Sequence, residues 1–207
     1  MNSVSAQPIK LYRHPISGHC HRVELFLSLL NLPVELVHID LANKAHKTPA
    51  FLAMNPFGLI PLIQDGSTTL ADANAILVYL AQQYAPNSWL PQDPIQAAQV
   101  QGWLSVAAGL LAFGPAAARV AILFKAPVAP VEAIERANAL FVVMEQKLSQ
   151  TPFLVGSNPT LADIANYSYT ARAPEGNISL QPYPNIRAWL TRIEALPGFI
   201  PMTITPS

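Results

Sequence analysis

Cysteine is nearly missing from this sequence, since Cys20 is the only one among 207 residues. A single cysteine excludes an internal disulfide framework and any zinc site built from several cysteines, and no metal site is predicted. Charge is scarce as well, because Lys, Arg, Asp and Glu make up 12% of the chain, against about 25% in an average protein. The 12 basic residues balance the 12 acidic ones, so the basic footprint of a nucleic-acid-binding protein is missing.

Signals for secretion and membrane insertion are weak. Met1–Pro8 is polar, which predicts no secretory leader and a cytoplasmic protein. The longest uncharged stretch is Pro94–Ala118, which contains three glutamines and Pro115 and is rich in alanine and glycine. A membrane span needs about 20 predominantly apolar residues, so this segment predicts a buried helix and no membrane partner. Hydrophobic residues make up 51% of the chain, which excludes a disordered protein.

Three prolines between Tyr84 and Pro94 divide the chain. Proline lacks an amide donor and disfavours helix in the residue before it. Strand-like and helix-like stretches alternate before this segment, and every long element after it has helical periodicity. We therefore predict two domains, residues 1–85 and residues 86–207.

The first half predicts the order β-α-β-α-β-β-α, a mixed sheet with helices packed on its faces. Asp65-Gly66 supplies the positive φ of a tight hairpin turn, and Asp72 is placed to cap the last helix. The predicted strands and helices, in chain order, are Ile9–Tyr12, a helix containing Val23–Leu30, Val34–Ile39, a short helix from Thr48-Pro49 to Asn55-Pro56, Pro61–Gln64, Ser67–Leu70 and a helix containing Ile76–Leu80.

The second half predicts an all-α domain. Its helices are expected to have about 25, 20, 12 and 9 residues, beginning near Pro94, Val131, Thr160 and Pro184. Thr160-Leu-Ala-Asp163 has the spacing of a capping box, in which each side chain satisfies an amide near the other. We interpret this box as a determinant of the fold.

The turn between the first strand and the first helix carries Ser17-Gly-His-Cys20. A helix start offers unpaired amides and the positive end of a dipole, which favour an anion such as a thiolate. Redox proteins place C-x-x-C here, but Ser17 stands at the first position, so a two-cysteine redox cycle is excluded. A serine hydroxyl can instead donate to a thiolate brought by a ligand, and the alternative is that Ser17 is only a helix cap.

Five motifs stand in a fixed order along the chain: Leu11–Cys20, Asn55–Pro61, Leu70–Leu77, Thr160–Asp163 and a tail made of Ala173–Gly176, Tyr183–Trp189 and Leu196–Phe199. On these motifs the sequence resembles the glutathione transferase family over nearly its whole length, residues 9–202. The resemblance is to the bacterial, serine-type branch. It implies a thioredoxin-like first domain that binds glutathione and a helical second domain that shapes the site for a hydrophobic electrophile.

The resemblance also implies roles for single residues. Ser17 matches the serine that hydrogen-bonds the glutathione sulfur, and Pro61 matches a cis-proline. His46 matches a residue that reaches the glycine carboxylate, and the backbone of Ile60 would pair with the cysteinyl part. The γ-glutamyl end would be held by Asp72 together with the amides of Ala73 and Asn74.

Two positions depart from the family pattern. Ala73 stands where a serine usually follows the acidic residue, and Leu59 stands where related bacterial sequences often carry a polar residue. The missing hydroxyl would cost roughly 1.5–3 kcal/mol of binding if its hydrogen bond were charge-assisted. The helix-start amide remains, so we expect weakened glutathione binding.

The co-substrate pocket is expected to include Tyr12, His14, Leu110 and Phe113. Tyr12 is also the rival catalytic residue, since other classes of the family use a tyrosine near the end of the first strand.

Three functions follow from these features. The first is a homodimeric transferase that conjugates glutathione to hydrophobic electrophiles, with glutathione as co-substrate and no metal. The second is a ligand-binding or partner-binding protein that has lost efficient turnover, which Ala73 and Leu59 suggest. The third is a glutathione-dependent reductase or peroxidase, which would require Cys20 to react.

Overall fold

The computed structural model describes residues 7–126 and 129–205, so most of the polar start Met1–Pro8 lies outside the described residues. The chain forms two compact units. Unit 1 extends to Pro86 and includes Pro197–Thr203, while unit 2 comprises Asn87–Leu196 and the chain from Ile204. The division near Pro86 lies close to the predicted boundary, but Pro197–Thr203, expected in the second domain, packs in unit 1.

Unit 1 is built on a four-stranded sheet with the strand order β2-β1-β3-β4. β1 and β2 are parallel, while β3 is antiparallel to both β1 and β4. The predicted order β-α-β-α-β-β-α is confirmed, with an additional 3₁₀ turn at Ala45–Lys47. The elements are β1 Ile9–Arg13, α1 Gly18–Leu29, β2 Val34–His38, α2 Pro49–Met54, β3 Leu62–Asp65, β4 Thr68–Ala71 and α3 Ala73–Tyr84.

Alternation and turn chemistry explain the sheet. Ile9 and Leu11 of β1 are fully buried whereas Lys10 between them is exposed, as period-two packing requires. Leu11 pairs with Leu36 on one side and with Ile63 on the other. Gly66 begins the hairpin turn with a φ of 57°, a value that glycine adopts without steric cost.

Unit 2 is helical, as predicted, and a 3₁₀ turn at Ala173–Gly176 follows its fourth helix. All four predicted helix starts, Pro94, Val131, Thr160 and Pro184, lie within one residue of observed ones. The helices are α4 Pro94–Ala108, α5 Ala117–Phe124, α6 Pro130–Leu148, α7 Leu161–Ala171 and α8 Pro184–Glu194.

The helix predicted to run for about 25 residues from Pro94 is interrupted. α4 ends at Ala108, and a π-helical turn, Ala112–Ala116, precedes α5. Pro115 lies inside that turn. A proline removes one backbone donor and its ring crowds the carbonyl four residues back, and a π-bulge widens the turn where α-helical bonding fails. The helical path therefore continues to Phe124 instead of stopping at the proline.

The stretch Pro94–Phe124 is long and apolar enough to cross a membrane by length and composition alone, and its most apolar window has a mean hydropathy of 1.8. In the structure 39% of its most apolar window is buried, and a core helix of a soluble protein satisfies the same criterion. The sequence-based expectation of a buried helix is thus met for only part of the segment.

The capping box at the start of α7 forms as predicted. Asp163 is fully buried and its Oδ2 accepts the Thr160 N–H at 2.8 Å. Its Oδ1 accepts the Leu154 N–H and the Trp189 indole N–H, both at 2.9 Å. One carboxylate therefore joins the helix start, the preceding loop and α8.

Candidate functional site

Ser17 is the N-cap of α1, in an extended conformation with φ −86° and ψ 117°. Its Oγ accepts the Cys20 N–H at 3.3 Å, and its own N–H donates to the His14 carbonyl at 3.1 Å. A hydroxyl has one proton and two lone pairs, so accepting this bond leaves the proton to be donated elsewhere. Ser17 therefore caps α1, and this role is compatible with donation of its hydroxyl proton to a sulfur.

Cys20 is fully buried in α1. Burial raises the pKa of its thiol, although the hydrogen bond with Ser17 opposes that effect. Because the thiolate is the reactive form of cysteine, this environment disfavours chemistry at Cys20.

The loop before β3 is held by contacts of its own side chains. Asn55 is buried, donates to the Leu59 carbonyl at 2.8 Å and accepts the Phe57 N–H at 3.1 Å. Lys47 Nζ donates to the Gly58 carbonyl at 2.8 Å. The loop ends in a cis peptide bond between Ile60 and Pro61, as expected.

Gly58 occupies a position in this loop that no other residue fits easily. Its φ is 57°, and a Cβ there would lie 2.8 Å from the His46 carbonyl oxygen. The loop and the 3₁₀ turn Ala45–Lys47 therefore approach each other closely.

Asp72 caps α3 from a positive φ of 72°. Its Oδ1 accepts the amides of Asn74 and Ala75 at 2.9 and 3.0 Å. Asn74 Oδ1 accepts a 2.8 Å bond from Nη1 of the buried Arg22. The Asn74 amide, predicted to contact a ligand, thus donates to Asp72, while the buried Ala73 carries the first amide of the helix.

A cavity of about 440 Å³ opens between these elements of unit 1. Four predicted binding residues line it, namely Ile60, Pro61, Asp72 and Ala73. Its other lining residues are His19, Met54, Asn55, Pro56, Phe57, Leu59 and Ala71.

Ser17, His46 and Asn74 do not line this cavity, although all three lie in unit 1. The predicted site did not include His19, which flanks the turn beside Ser17 and was interpreted as surface, or Phe57, which belongs to the Asn55–Pro61 motif. Ala71 likewise belongs to the Leu70–Leu77 motif, whereas Met54 gave no such signal, because it is an ordinary apolar residue at the end of α2.

Tyr12 uses its hydroxyl within the sheet. The phenol donates to Gln64 Oε1 at 2.7 Å, and the ring makes an edge contact with Phe51 at a centroid distance of 6.3 Å. A phenol has a single proton, so this bond opposes a role for Tyr12 as donor to a ligand sulfur.

His14 lies in the turn between β1 and α1, with its ring centroid 5.1 Å from that of His38. Burial lowers the pKa of His14, and repulsion from His38 and Arg13 lowers it further. Its Nδ1 is buried with no hydrogen-bond partner among the described residues. The same holds for Nδ1 of His46, which lies in the 3₁₀ turn Ala45–Lys47.

Leu110 and Phe113 belong to unit 2, where they are 54% and 62% exposed. They line a groove of about 460 Å³ together with residues of α4 and with Arg136 of α6. Tyr12 and His14 belong to unit 1, and the predicted co-substrate pocket of these four residues stays a prediction. Within residues 7–126 and 129–205, no cluster of three or more His, Cys, Asp or Glu side chains is arranged to hold a metal ion.

Two family models match the chain. Residues 11–88 match the N-terminal domain of glutathione S-transferase, and residues 106–197 match its C-terminal domain. The chain is 35% identical to glutathione S-transferase 3 of Zea mays, with 97% of this chain and 98% of that protein covered.

Solved structures give the same picture. The chain is similar to a glutathione S-transferase from Pseudomonas fluorescens with a TM-score of 0.90 and 35% identity, covering 96% of this chain and 100% of that one. It is also similar to a possible glutathione S-transferase from Rhodopseudomonas palustris, with a TM-score of 0.87 and 32% identity over 97% and 100% of the two chains.

Proposed function

The chain belongs to the glutathione S-transferase family and is a glutathione transferase with a thioredoxin-like first domain, and on this premise we propose that Ser17 activates the glutathione sulfur. The observation that carries the proposal is the position of Ser17 as N-cap of α1, in the same unit as the cavity bounded by the cis-proline loop and the start of α3. Its hydroxyl proton is the donor to the thiolate.

Two effects at this helix start favour the thiolate over the thiol. A hydrogen bond donated to the charged form lowers the pKa of the sulfur, and the positive end of the α1 dipole acts in the same direction. The first turn of α1 contains no acidic residue that would oppose them.

The reaction is a nucleophilic transfer to carbon. The thiolate electron pair forms a C–S bond with an electrophilic carbon of a hydrophobic substrate, and the leaving group departs with the electrons of the broken bond. The protein contributes nucleophile activation and proximity.

The glutathione-binding residues are Ile60, Pro61, Asp72, Ala73, Asn74 and His46. Four of them, Ile60, Pro61, Asp72 and Ala73, line the cavity, which supports the proposal. The start of α3 supports a site for the γ-glutamyl carboxylate, since the first amides of a helix favour an anion. Because the Asn74 N–H donates to Asp72 Oδ1, Asn74 is limited to a positioning role.

The alternatives weigh less. The family match does not favour a non-catalytic ligand carrier. The buried thiol of Cys20, with its raised pKa, opposes a reductase or peroxidase mechanism.

A thiolate titration tests the role of Ser17. Ser17→Gly removes the hydroxyl while costing the helix cap only roughly 0.3 kcal/mol. We expect the pKa of enzyme-bound glutathione, followed by thiolate absorbance, to rise by about 1–2 units. Ser17→Thr retains a hydroxyl and should stay near the wild-type value. An unchanged titration in Ser17→Gly would refute the proposed donor.

We also propose a cytoplasmic homodimer without membrane or nucleic-acid partners. The balanced charge argues against a nucleic-acid partner, and the family match supports the dimer. Light scattering should give twice the 22.4 kDa mass of one chain, and a monomer at micromolar concentration would contradict it.

A further inference from the structure

Two histidine rings lie against each other beside the turn that leads to Ser17. His14 follows β1 and His38 ends β2, and their ring centroids are 5.1 Å apart with the planes tilted by 40°. The parallel register places Arg13 beside His38, so His14 lies just beyond the last pair of the two strands. His38 is exposed, whereas Nδ1 of His14 is buried with no hydrogen-bond partner among the described residues.

The backbone of His14 fixes the position of Ser17. The Ser17 N–H donates to the His14 carbonyl at 3.1 Å, which closes a four-residue turn. Pro15 occupies the second position of this turn, where its fixed φ is favourable. Because Ser17 directly follows the turn as N-cap of α1, a displacement of His14 also displaces the serine.

The surroundings of His14 oppose a positive charge on its ring. Burial lowers the pKa of His14, repulsion from His38 and then from Arg13 lowers it further, and Asp40 acts in the other direction. Arg13 is held by Glu24 of α1, whose Oε2 accepts the Arg13 Nε–H at 2.9 Å. The unfolded chain therefore binds a proton at His14 more tightly than the folded chain does. Acidification below about pH 6.5 thus favours states in which this ring has left its place.

We propose that His14 is a positioning residue for Ser17 and that its contact with His38 makes this positioning sensitive to acid. When both rings carry a proton, their repulsion drives the His14 ring away from His38 and moves the turn that holds Ser17. The serine hydroxyl then leaves the place from which it donates to the glutathione sulfur, and turnover falls. The link to turnover rests on the proposed function of Ser17.

An NMR titration of the carbon-bound histidine ring protons, in protein without glutathione, tests the pair itself. The His14 resonance is assigned by its absence in His14→Gln. We expect the pKa of His14 to lie below that of a histidine in an unstructured peptide. It should rise in His38→Gln, which removes a repelling charge, and fall in Asp40→Asn, which removes an attracting one.

Lys10→Gln is the matched control for the titration. Lys10 lies on β1 and its Nζ is 3.9 Å from Glu35 Oε2 of β2, so this variant removes one positive charge from the same two strands but not from the histidine pair. It should leave the titration of His14 unchanged. An unshifted His14 titration in His38→Gln, or an equal shift in Lys10→Gln, would overturn the inference.

The pH dependence of kcat/KM for glutathione tests the link to Ser17. On acidification from about pH 7.5 to about pH 5.5, wild type should lose roughly threefold more of its kcat/KM than His38→Gln, the factor that corresponds to repulsion between two unit charges about 5 Å apart in water. Titration of the glutathione thiol affects both proteins and cancels in the comparison. At the higher pH the two proteins should agree within about twofold, because His38 is exposed and does not line the cavity.

Two outcomes separate this inference from the proposed function. An unchanged thiolate titration in Ser17→Gly would overturn the proposed function and with it the link to turnover. A raised thiolate pKa in Ser17→Gly, together with equal acid losses in wild type and His38→Gln, would overturn only the role of the histidine pair. Circular dichroism at the lower pH should show wild type still folded, and global unfolding there would also overturn the inference, which requires a local displacement.

Discussion

Ser17 shows how one oxygen can serve the fold and the chemistry. As acceptor it receives the Cys20 N–H and caps α1, and its one hydroxyl proton can be donated to a sulfur. The two tasks use different parts of the hydroxyl, so stability measurements alone do not reveal the chemical one. Substitutions that keep the cap and remove the proton separate the two tasks.

Cys20 is a residue for which burial decides the chemistry. We expect Cys20→Ala to leave transferase activity within about twofold of wild type, while losing about 1 kcal/mol of stability for the deleted buried sulfur. Thiol labelling of the native wild-type protein should be slow and become fast only in denaturant, because the side chain is fully buried. Loss of activity in Cys20→Ala would restore the reductase or peroxidase alternative.

At the scale of elements, Asp163 organises the start of α7. Its carboxylate accepts the Thr160 N–H, the Leu154 N–H and the Trp189 indole N–H. The carboxylate that accepts an N–H from the preceding loop therefore also accepts one from α8. Burial raises the pKa of Asp163, while the donated hydrogen bonds act against that rise.

Asp163→Ala should destabilise the protein strongly. Three buried N–H groups lose their acceptor, so we expect the free energy of unfolding in urea to fall by about 3 kcal/mol or more. Asp93→Ala is the control, because Asp93 caps α4 through a single exposed bond to the Gln96 N–H at 2.9 Å, and its loss should cost about 1 kcal/mol. Equal losses in the two variants would mean that the buried network contributes no more than a surface cap.

At the scale of the whole chain, the segment Pro197–Thr203 returns to unit 1 after the helices of unit 2. Ser28 Oγ donates to the Gly198 carbonyl at 2.6 Å, and His21 Nε2 lies 3.0 Å from the Ile200 carbonyl oxygen. Gly198 has a φ of 86°, and a Cβ there would lie 2.8 Å from the Ser28 carbonyl oxygen. The segment therefore packs against α1 only because residue 198 has no side chain.

Gly198→Ala tests that close approach. We expect a loss of about 3 kcal/mol in urea denaturation, since positive φ and a backbone clash both oppose the new methyl group. Gly156→Ala is matched for backbone strain, with a φ of 77° but no atom within 4 Å of the added Cβ, and it should lose only about 1 kcal/mol. Equal losses would show that the contact with α1 does not limit stability.

Local signals predicted most of the secondary structure. Asp72, Thr160 and Gly66 each act on backbone groups within three residues, so their caps and turn follow from the sequence alone. Pro115 was a weaker guide, because a proline can end a helix or be absorbed in a π turn. That outcome depends on packing around the helix, which local sequence does not encode.

The sequence by itself determined the family, the order of elements, the cis-proline and the position of Ser17 at a helix start, because motifs and caps act over short stretches of chain. Only the tertiary structure decided that Asp72 binds the Asn74 amide, that His19 lines the cavity, that Tyr12 donates to Gln64 and that Pro197–Thr203 packs in unit 1. Several of these contacts join residues far apart in the sequence, and even the nearby ones depend on how backbone and side-chain groups are oriented. Such orientations are set by packing, which no local pattern specifies.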